Sequence, residues 1–304
     1  MKKIRILLPV YNEEDSINEF HNALQNKLDK IDTYSFDILF IIDKSADNTE
    51  NLITDICKNY SNCEALLMSS RFGHQECIYA GLDYSKKYDA VIMMDCDFQH
   101  PINLIDSMID KYNSGYEIVN TKRIENNHRN LIKKLGTKYF YKLIKKFALP
   151  NLEENSADFR LISNKIVKVI LDNYKENKIL IRGVISLIGF NSCYLEYKEN
   201  KRKFGRTKYG LLKMISFAVN GIISFTSLPL FIIFLIGLTL SLFSITIVLF
   251  FILSYFIEGD IPAGWTSVAT LQLIFGSINL LFLGFLGIYV GKIFDEIKKR
   301  PKYL

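Results

Sequence analysis

From residue 214 to residue 257 the chain carries no Asp, Glu, Lys or Arg, a run of 44 residues, and from 261 to 291 it carries none for another 31. A helix needs only ~20 apolar residues to cross a bilayer. At about 1.5 Å per residue the first run is too long for a single crossing, and Pro229 divides it. Within 214–228 the polar residues Ser216, Asn220, Ser224 and Ser227 recur at helical spacing opposite Ile215, Phe217, Val219, Ile222 and Phe225. That pattern predicts a helix lying in the interface plane. Residues 229–257 form the first predicted span, 258–266 the connecting loop and 267–291 the second span. Gly276, Gly284, Gly287 and Gly291 either let the second span pack closely on another helix or reflect ordinary glycine tolerance in lipid.

Charge gives the orientation. Seven basic residues stand between Lys198 and Lys213 against Glu199 alone, the tail "KIFDEIKKRPKYL" from 292 is basic, and the loop "EGDIPAG" is acidic. The positive-inside rule then places both termini in the cytoplasm of a multi-pass plasma (inner) membrane protein. The net charge of +6 is concentrated beside the membrane, not interleaved with aromatic residues on a soluble face, which argues against nucleic acid as a partner. At the N-terminus the apolar run 4–10 is interrupted by Arg5 and is too short for the core of a signal peptide. The five cysteines show no CxxC spacing and are expected to be reduced.

The first ~200 residues can enclose one sizeable core. They alternate short β-like runs, at 4–10, 37–42, 64–68, 90–94 and 117–120, with helical stretches starting near Asn12, Asp47, Gly73 and Pro101. Strands joined by helical crossovers make an α/β fold with a mainly parallel sheet. Ligands of such sheets lie beyond the carboxyl ends of the strands. There the chain reads "PVYNEED", "IIDKSADNT", "SSRFGHQ" and "DCDFQHP". Taken singly, Asn12 and Asp47 are ordinary helix caps and Glu13 an ordinary solvated acid. Asp95 and Asp97 are one residue apart, and side chains so spaced on a regular strand point to opposite faces. To share a ligand they require the chain to leave the strand there, and Pro101 is expected to begin the next helix.

In this order and spacing the four strand ends resemble the nucleotide-sugar half of a family-two glycosyltransferase with a GT-A, Rossmann-like fold. "DFRLIS" at 158, "RGVISLIGF" at 182, "RKFGRTKYGLLKMISFAVNGIISFTSLPL" from 202 and the terminal "GIYVGKIFDEIKKRPKY" extend the likeness over nearly the whole chain. They resemble the polyprenyl-phosphate glycosyltransferases, which include bactoprenol glucosyltransferases and dolichol-phosphate mannose synthases. The implied architecture is a cytoplasmic GT-A domain over 1–200, a basic juxtamembrane segment and interfacial helix over 201–228, the two transmembrane helices, and a basic tail over 292–304.

The resemblance also implies roles. Asp95, Asp97 and Gln99 are expected to hold Mg²⁺ or Mn²⁺ and the donor diphosphate, whose departing charge a metal neutralises as a Lewis acid. Pro9, Tyr11 and Glu13 map to the base and ribose pocket, Asp43 to the base edge and Arg71 to the neighbourhood of the diphosphate. Asp158 matches the residue assigned as catalytic base. A phosphate acceptor with a second pKa of about 6 is already largely anionic at neutral pH, so Asp158 is expected to orient Arg160 or the acceptor more than to remove a proton. Arg202, Arg206 and Lys208 are the candidates for gripping a lipid phosphate, with Arg206 standing where relatives carry Glu; a simple membrane anchor is the alternative. Where relatives have Asp-Gly-Ser this chain has Asp43, Lys44 and Ser45, so the turn is expected to be crowded, with an added cation near phosphate.

The implied reaction is inverting transfer of one sugar to undecaprenyl phosphate for cell-envelope glycan modification, such as lipopolysaccharide O-antigen modification. UDP-glucose is the favoured donor, and GDP-mannose, UDP-N-acetylhexosamine and UDP-aminoarabinose are alternatives. A processive synthase is disfavoured because the sole Trp, Trp265, lies in the loop between spans. A non-catalytic scaffold or flippase partner would dispense with the Asp95 and Asp97 pair. A homo-oligomer is compatible with the pattern.

Overall fold

The computed structural model describes residues 1–124, 153, 155–175, 180–198, 228–258, 264–298 and 303. Two compact units make up the chain, Met1–Gly210 with Arg300–Leu304, and Leu211–Lys299.

The first unit is built on strands β1 (Lys2–Val10), β2 (Tyr34–Ile42), β3 (Cys63–Leu67), β4 (Ala90–Met93), β5 (Ile118–Arg123), β6 (Ser156–Ser163) and β7 (Ser192–Tyr197). Its helices are α1 (Ile17–Leu28), α2 (Thr49–Asn59), α3 (His74–Asp83), α4 (Leu104–Asn113), α5 (Asn164–Asn173) and α6 (Ile181–Ile188). The sheet order is β3-β2-β1-β4-β6-β5-β7. Every pairing is parallel except those of β6, which runs antiparallel between β4 and β5. The sheet is therefore mostly parallel, as expected, with β6 and β7 added to the strands read from the sequence.

Both faces are covered, which explains why the central strands are near-continuous apolar runs. Ile4, Ile6 and Leu8 of β1 pack with Ile17, Phe20 and Leu24 of α1 and with Ile105 and Met108 of α4. Leu7 packs on the opposite face with Ile78 and Leu82 of α3 and Ile166 and Ile170 of α5. Helix α3 lies close to the sheet at Gly81, where an added Cβ would stand 3.0 Å from Ile41 Cδ1 and 3.1 Å from Leu7 Cδ1. Arg5, fully buried, crosses three strands by donating to Tyr88 Oη (2.5 Å) and to Glu64 (2.5 Å).

Helices α1 to α4 begin later than the sequence pattern predicts, and before α1, α2 and α3 the intervening residues spend backbone N–H groups on side chains. Asn12 has φ +52°, outside the helical region, and α1 starts at Ile17. Pro101 opens a turn closed by Leu104 N–H donating to its carbonyl (3.0 Å), and α4 starts only there.

The second unit contains α7 (Leu228–Glu258) and α8 (Trp265–Ile297), helices of 31 and 33 residues. Among the described residues one segment, Ile274–Ile297, is long and apolar enough to cross a membrane; the apolar stretch Leu230–Leu240 in α7 is shorter. Large apolar side chains stand exposed along both, among them Phe234, Phe243, Leu280 and Val290. Helix α8 extends past 291 into what the sequence reads as tail. The interfacial helix expected at 214–228 lies outside the described residues except for its last position, which begins α7, and so do Arg202, Arg206 and Lys208.

Candidate active site

The ends of β1 and β2 form one wall. Pro9 lies two residues past Leu7, the last residue of β1 paired with β4, so its missing N–H costs no ladder bond there. Beyond it, the β1–α1 and β2–α2 loops are laced together by backbone-to-side-chain bonds. Asn12 N–H donates to Ser45 Oγ (3.1 Å), Ala46 N–H to Asn12 Oδ1 (2.9 Å) and Glu13 N–H to Thr49 Oγ1 (2.9 Å). Ser16 Oγ donates to the Glu13 carboxylate (2.9 Å). The turn at Lys44 needs no glycine: among the described residues only Asn12, Phe98 and Asn155 have positive φ outside glycine, and Lys44 itself is exposed.

Asp43, at the end of β2, is buried and accepts from Phe72 N–H (2.9 Å) and Gly73 N–H (3.1 Å). It thereby fixes the loop that leads into α3, where Gly73 takes φ +104°, a conformation open to glycine but strained for other residues. On the same loop the guanidinium of Arg71 stacks over the Tyr11 ring at 4.1 Å. The two residues mapped to base and diphosphate are thus in contact with each other.

The opposite wall begins where β4 ends at Met93. The chain leaves the strand before Asp95, as the spacing of the carboxylates requires, and Phe98 turns it with φ +63°. Asp97 is buried and accepts from Gln99 N–H (3.1 Å). Asp95 N–H donates to His100 Nδ1 (3.0 Å), while the buried His100 ring stacks on Phe159 at 5.0 Å. His100 therefore props the loop and packs.

Asp95 also contacts a residue the sequence reading left without a role: His74 Nε2 lies 2.9 Å from its Oδ1. Burial disfavours the charge on Asp95, yet the imidazoles of His100 and His74 hold its pKa down at about 2. Burial pulls His100 below its ordinary value. For His74 burial again opposes charge, but the contact with Asp95 and the field of Asp158 lift it to about 9.

Asp158 of β6 is the next carboxylate. Arg182, at the second position of α6, reaches it with Nη2 at 3.1 Å, and Arg160, buried, lies at 3.4 Å. Burial raises the Asp158 carboxyl, but Arg182 first and then Arg160 and His74 drive it well below the usual range. A carboxylate so stabilised is a weak proton acceptor. Its contacts are with Arg160 and Arg182. Beyond the two arginines opens a polar cavity of about 390 Å³, lined by Asn120, Ser156, Ser186 and Tyr194 among others.

The oxygen donors at Asp95 and Asp97 suit a hard divalent cation. Asp95 is ionised and both residues stand outside the strand. Among the described residues no group of three or more His, Cys, Asp and Glu is placed to hold a metal ion alone. A carboxylate pair completed by phosphate oxygens and water is the habit of Mg²⁺, so the residues fit.

His74, Gln75 and Arg182 were missed as individuals. They sit in "FGHQ" and "RGVISLIGF", but which of their residues would meet Asp95 and Asp158 depends on pairings 21 to 83 residues apart.

Residues 5–171, more than half of the chain, match the model of glycosyl transferase family 2. The chain is 33% identical over 302 residues to the prophage bactoprenol glucosyl transferase homolog of Escherichia coli K12, covering 99% of this chain and 98% of that protein. It is equally identical, 33% over 99% of this chain and 97% of the relative, to the bactoprenol glucosyl transferase of Shigella phage SfII. Among solved structures it is similar to mannosyl-3-phosphoglycerate synthase of Rubrobacter xylanophilus, with a TM-score of 0.48 and 15% identity over 72% of this chain and 71% of that one.

Proposed function

Since the chain belongs to glycosyl transferase family 2, we propose that this glycosyltransferase moves one sugar, with inversion, from a nucleotide-sugar donor to undecaprenyl phosphate at the cytoplasmic face of the membrane. UDP-glucose is the favoured donor. The observation that carries the reading is the connected charge cluster Asp95, His74, Asp158, Arg160 and Arg182 at the strand ends. In this reading Asp95 joins Asp97 in receiving the metal diphosphate, next to an arginine-bound carboxylate, Asp158, suited to an anionic nucleophile. The acceptor class is supported by likeness at 33% identity, over 99% of the chain, to proteins named bactoprenol glucosyl transferases.

The chain's own residues divide the work. Pro9, Tyr11, Glu13 and Asp43 line the nucleotide side, with Arg71 able to leave its stack on Tyr11 for the diphosphate. Asp95, Asp97 and Gln99 hold the Mg²⁺ or Mn²⁺, which supplies Lewis-acid neutralisation of the leaving diphosphate. The acceptor phosphate is largely ionised at neutral pH, so Asp158 orients and balances charge. Arg202, Lys208 and Arg206 meet the lipid phosphate. Helices α7 and α8 each cross the membrane, with 1–200 as the catalytic domain, 201–228 as the interfacial segment and 292–304 as the cytoplasmic tail.

The test is incubation of the purified full chain with undecaprenyl phosphate, Mg²⁺ or Mn²⁺ and a panel of radiolabelled nucleotide sugars. Label from UDP-glucose entering the lipid phase is expected. Label from a different donor corrects the sugar alone, and no lipid label from any donor overturns the reading.

A further inference from the structure

Gln75 is the second residue of α3, and its side chain joins three parts of the molecule. Its Nε2 donates to Asp158 Oδ2 (3.3 Å) on β6, and its Oε1 accepts from Ile181 N–H (3.1 Å), the first residue of α6. The same Nε2 lies 3.2 Å from His74 Nδ1. The orientation of the amide is dictated by its partners, since an ionised carboxylate only accepts and a backbone N–H only donates. The Ile181 N–H is one of the groups a helix start leaves unpaired. The very next residue, Arg182, is the one whose guanidinium grips Asp158.

We propose that Gln75 is a positioning residue for the transfer reaction: its amide fixes Asp158 and the start of α6 to one another, so that Arg182 meets the carboxylate in a single geometry. The inference rests on the proposed reaction and deepens it. Only an amide of this length does both jobs. Glu at 75 keeps an acceptor for Ile181 N–H but sets a second negative charge against Asp158. Met has nearly the same shape and makes neither bond. Asn is one methylene short.

The two substitutions separate positioning from mere helix capping. Gln75→Met and Gln75→Glu are compared with the parent for kcat and for the Michaelis constants of donor and undecaprenyl phosphate, with release of nucleoside diphosphate in the absence of lipid as a second readout. Both variants should lose about 10- to 100-fold in kcat, as misplacement of a reacting group by ~1 Å does, while both Michaelis constants stay within about twofold. Gln75→Glu should be no better than Gln75→Met. A Gln75→Glu enzyme as active as the parent would show that Gln75 only caps α6, and a fully active Gln75→Met enzyme would remove any role. If Gln75→Met does not fold, Gln75→Glu decides alone. A parent that transfers no sugar to lipid defeats the proposed acceptor, and nucleoside diphosphate release then still judges Gln75.

Discussion

The two walls of the site are held by different forces. The nucleotide wall, at the ends of β1 and β2, is tied by bonds in which backbone N–H groups donate to side-chain oxygens: Asn12 to Ser45, Ala46 to Asn12, Glu13 to Thr49, and Phe72 and Gly73 to Asp43. The transfer wall, at Asp95 and Asp158, is tied by charges: His74 against Asp95, and Arg160 and Arg182 against Asp158. Bonds of the first kind contribute about 1 kcal/mol each and set shape. Removing one member of a desolvated charge set leaves its partner uncompensated, which is far more damaging. In the proposed reading the first wall therefore sets shape, and the second is the one whose charge balance turnover depends on.

The largest effect should come from the carboxylate pair. Asp97→Asn or Asp95→Asn is expected to cut transfer at least about 10²-fold, and EDTA should do the same to the parent, reversibly on adding Mg²⁺; full transfer in metal-free buffer would break the metal assignment. Next is Arg182→Gln. Arg182 is the leading cation holding the Asp158 carboxyl down, so its loss should raise that pKa and bring an acid limb into the pH profile of kcat. Activity is expected to drop about 10-fold at pH 8, with the further loss appearing only as the pH is lowered toward the ordinary carboxylate value of about 4, and a drop that stays uniform down to that pH would show that Asp158 is not held by charge. The smallest effect should be on the nucleotide wall, where Thr49→Val leaves Glu13 N–H without its acceptor. Thermal or denaturant unfolding should record a loss of about 1–3 kcal/mol, with kcat close to that of the parent.

This contrast also governs what the sequence reveals. The nucleotide wall is local: each loop follows an apolar run, and its polar residues answer a neighbouring loop about 30 to 36 residues away. Strands β1 to β5, the strand-end loops and the charge-free runs are therefore visible in the order of residues. Strand β6 is harder, because Asp158 and Arg160 occupy one of its faces and are covered by charge pairing, so the face reads as polar surface. Its antiparallel insertion between β4 and β5 depends on partners such as Met93 with Arg160, which no local pattern announces. Gln75 meets Ile181 across 106 residues of chain, and that contact emerges only from the completed sheet. Helix starts shift by a few residues for the opposite reason: caps and proline mark the loop, and side-chain bonds within it decide where helical bonding begins.

The claim that the two walls do separate work is tested most directly by the affinity of Asp158→Asn for UDP, measured by calorimetry in the presence of Mg²⁺ beside its rate of lipid glycosylation. Asp158 touches Gln75, Arg160 and Arg182, all outside the loops that bind nucleotide in this account. The Kd for UDP should stay within about twofold of the parent while transfer falls at least about 10²-fold, without recovery at high pH. A Kd that weakens in step with the loss of transfer would contradict the division, and recovery at high pH would make Asp158 a simple base.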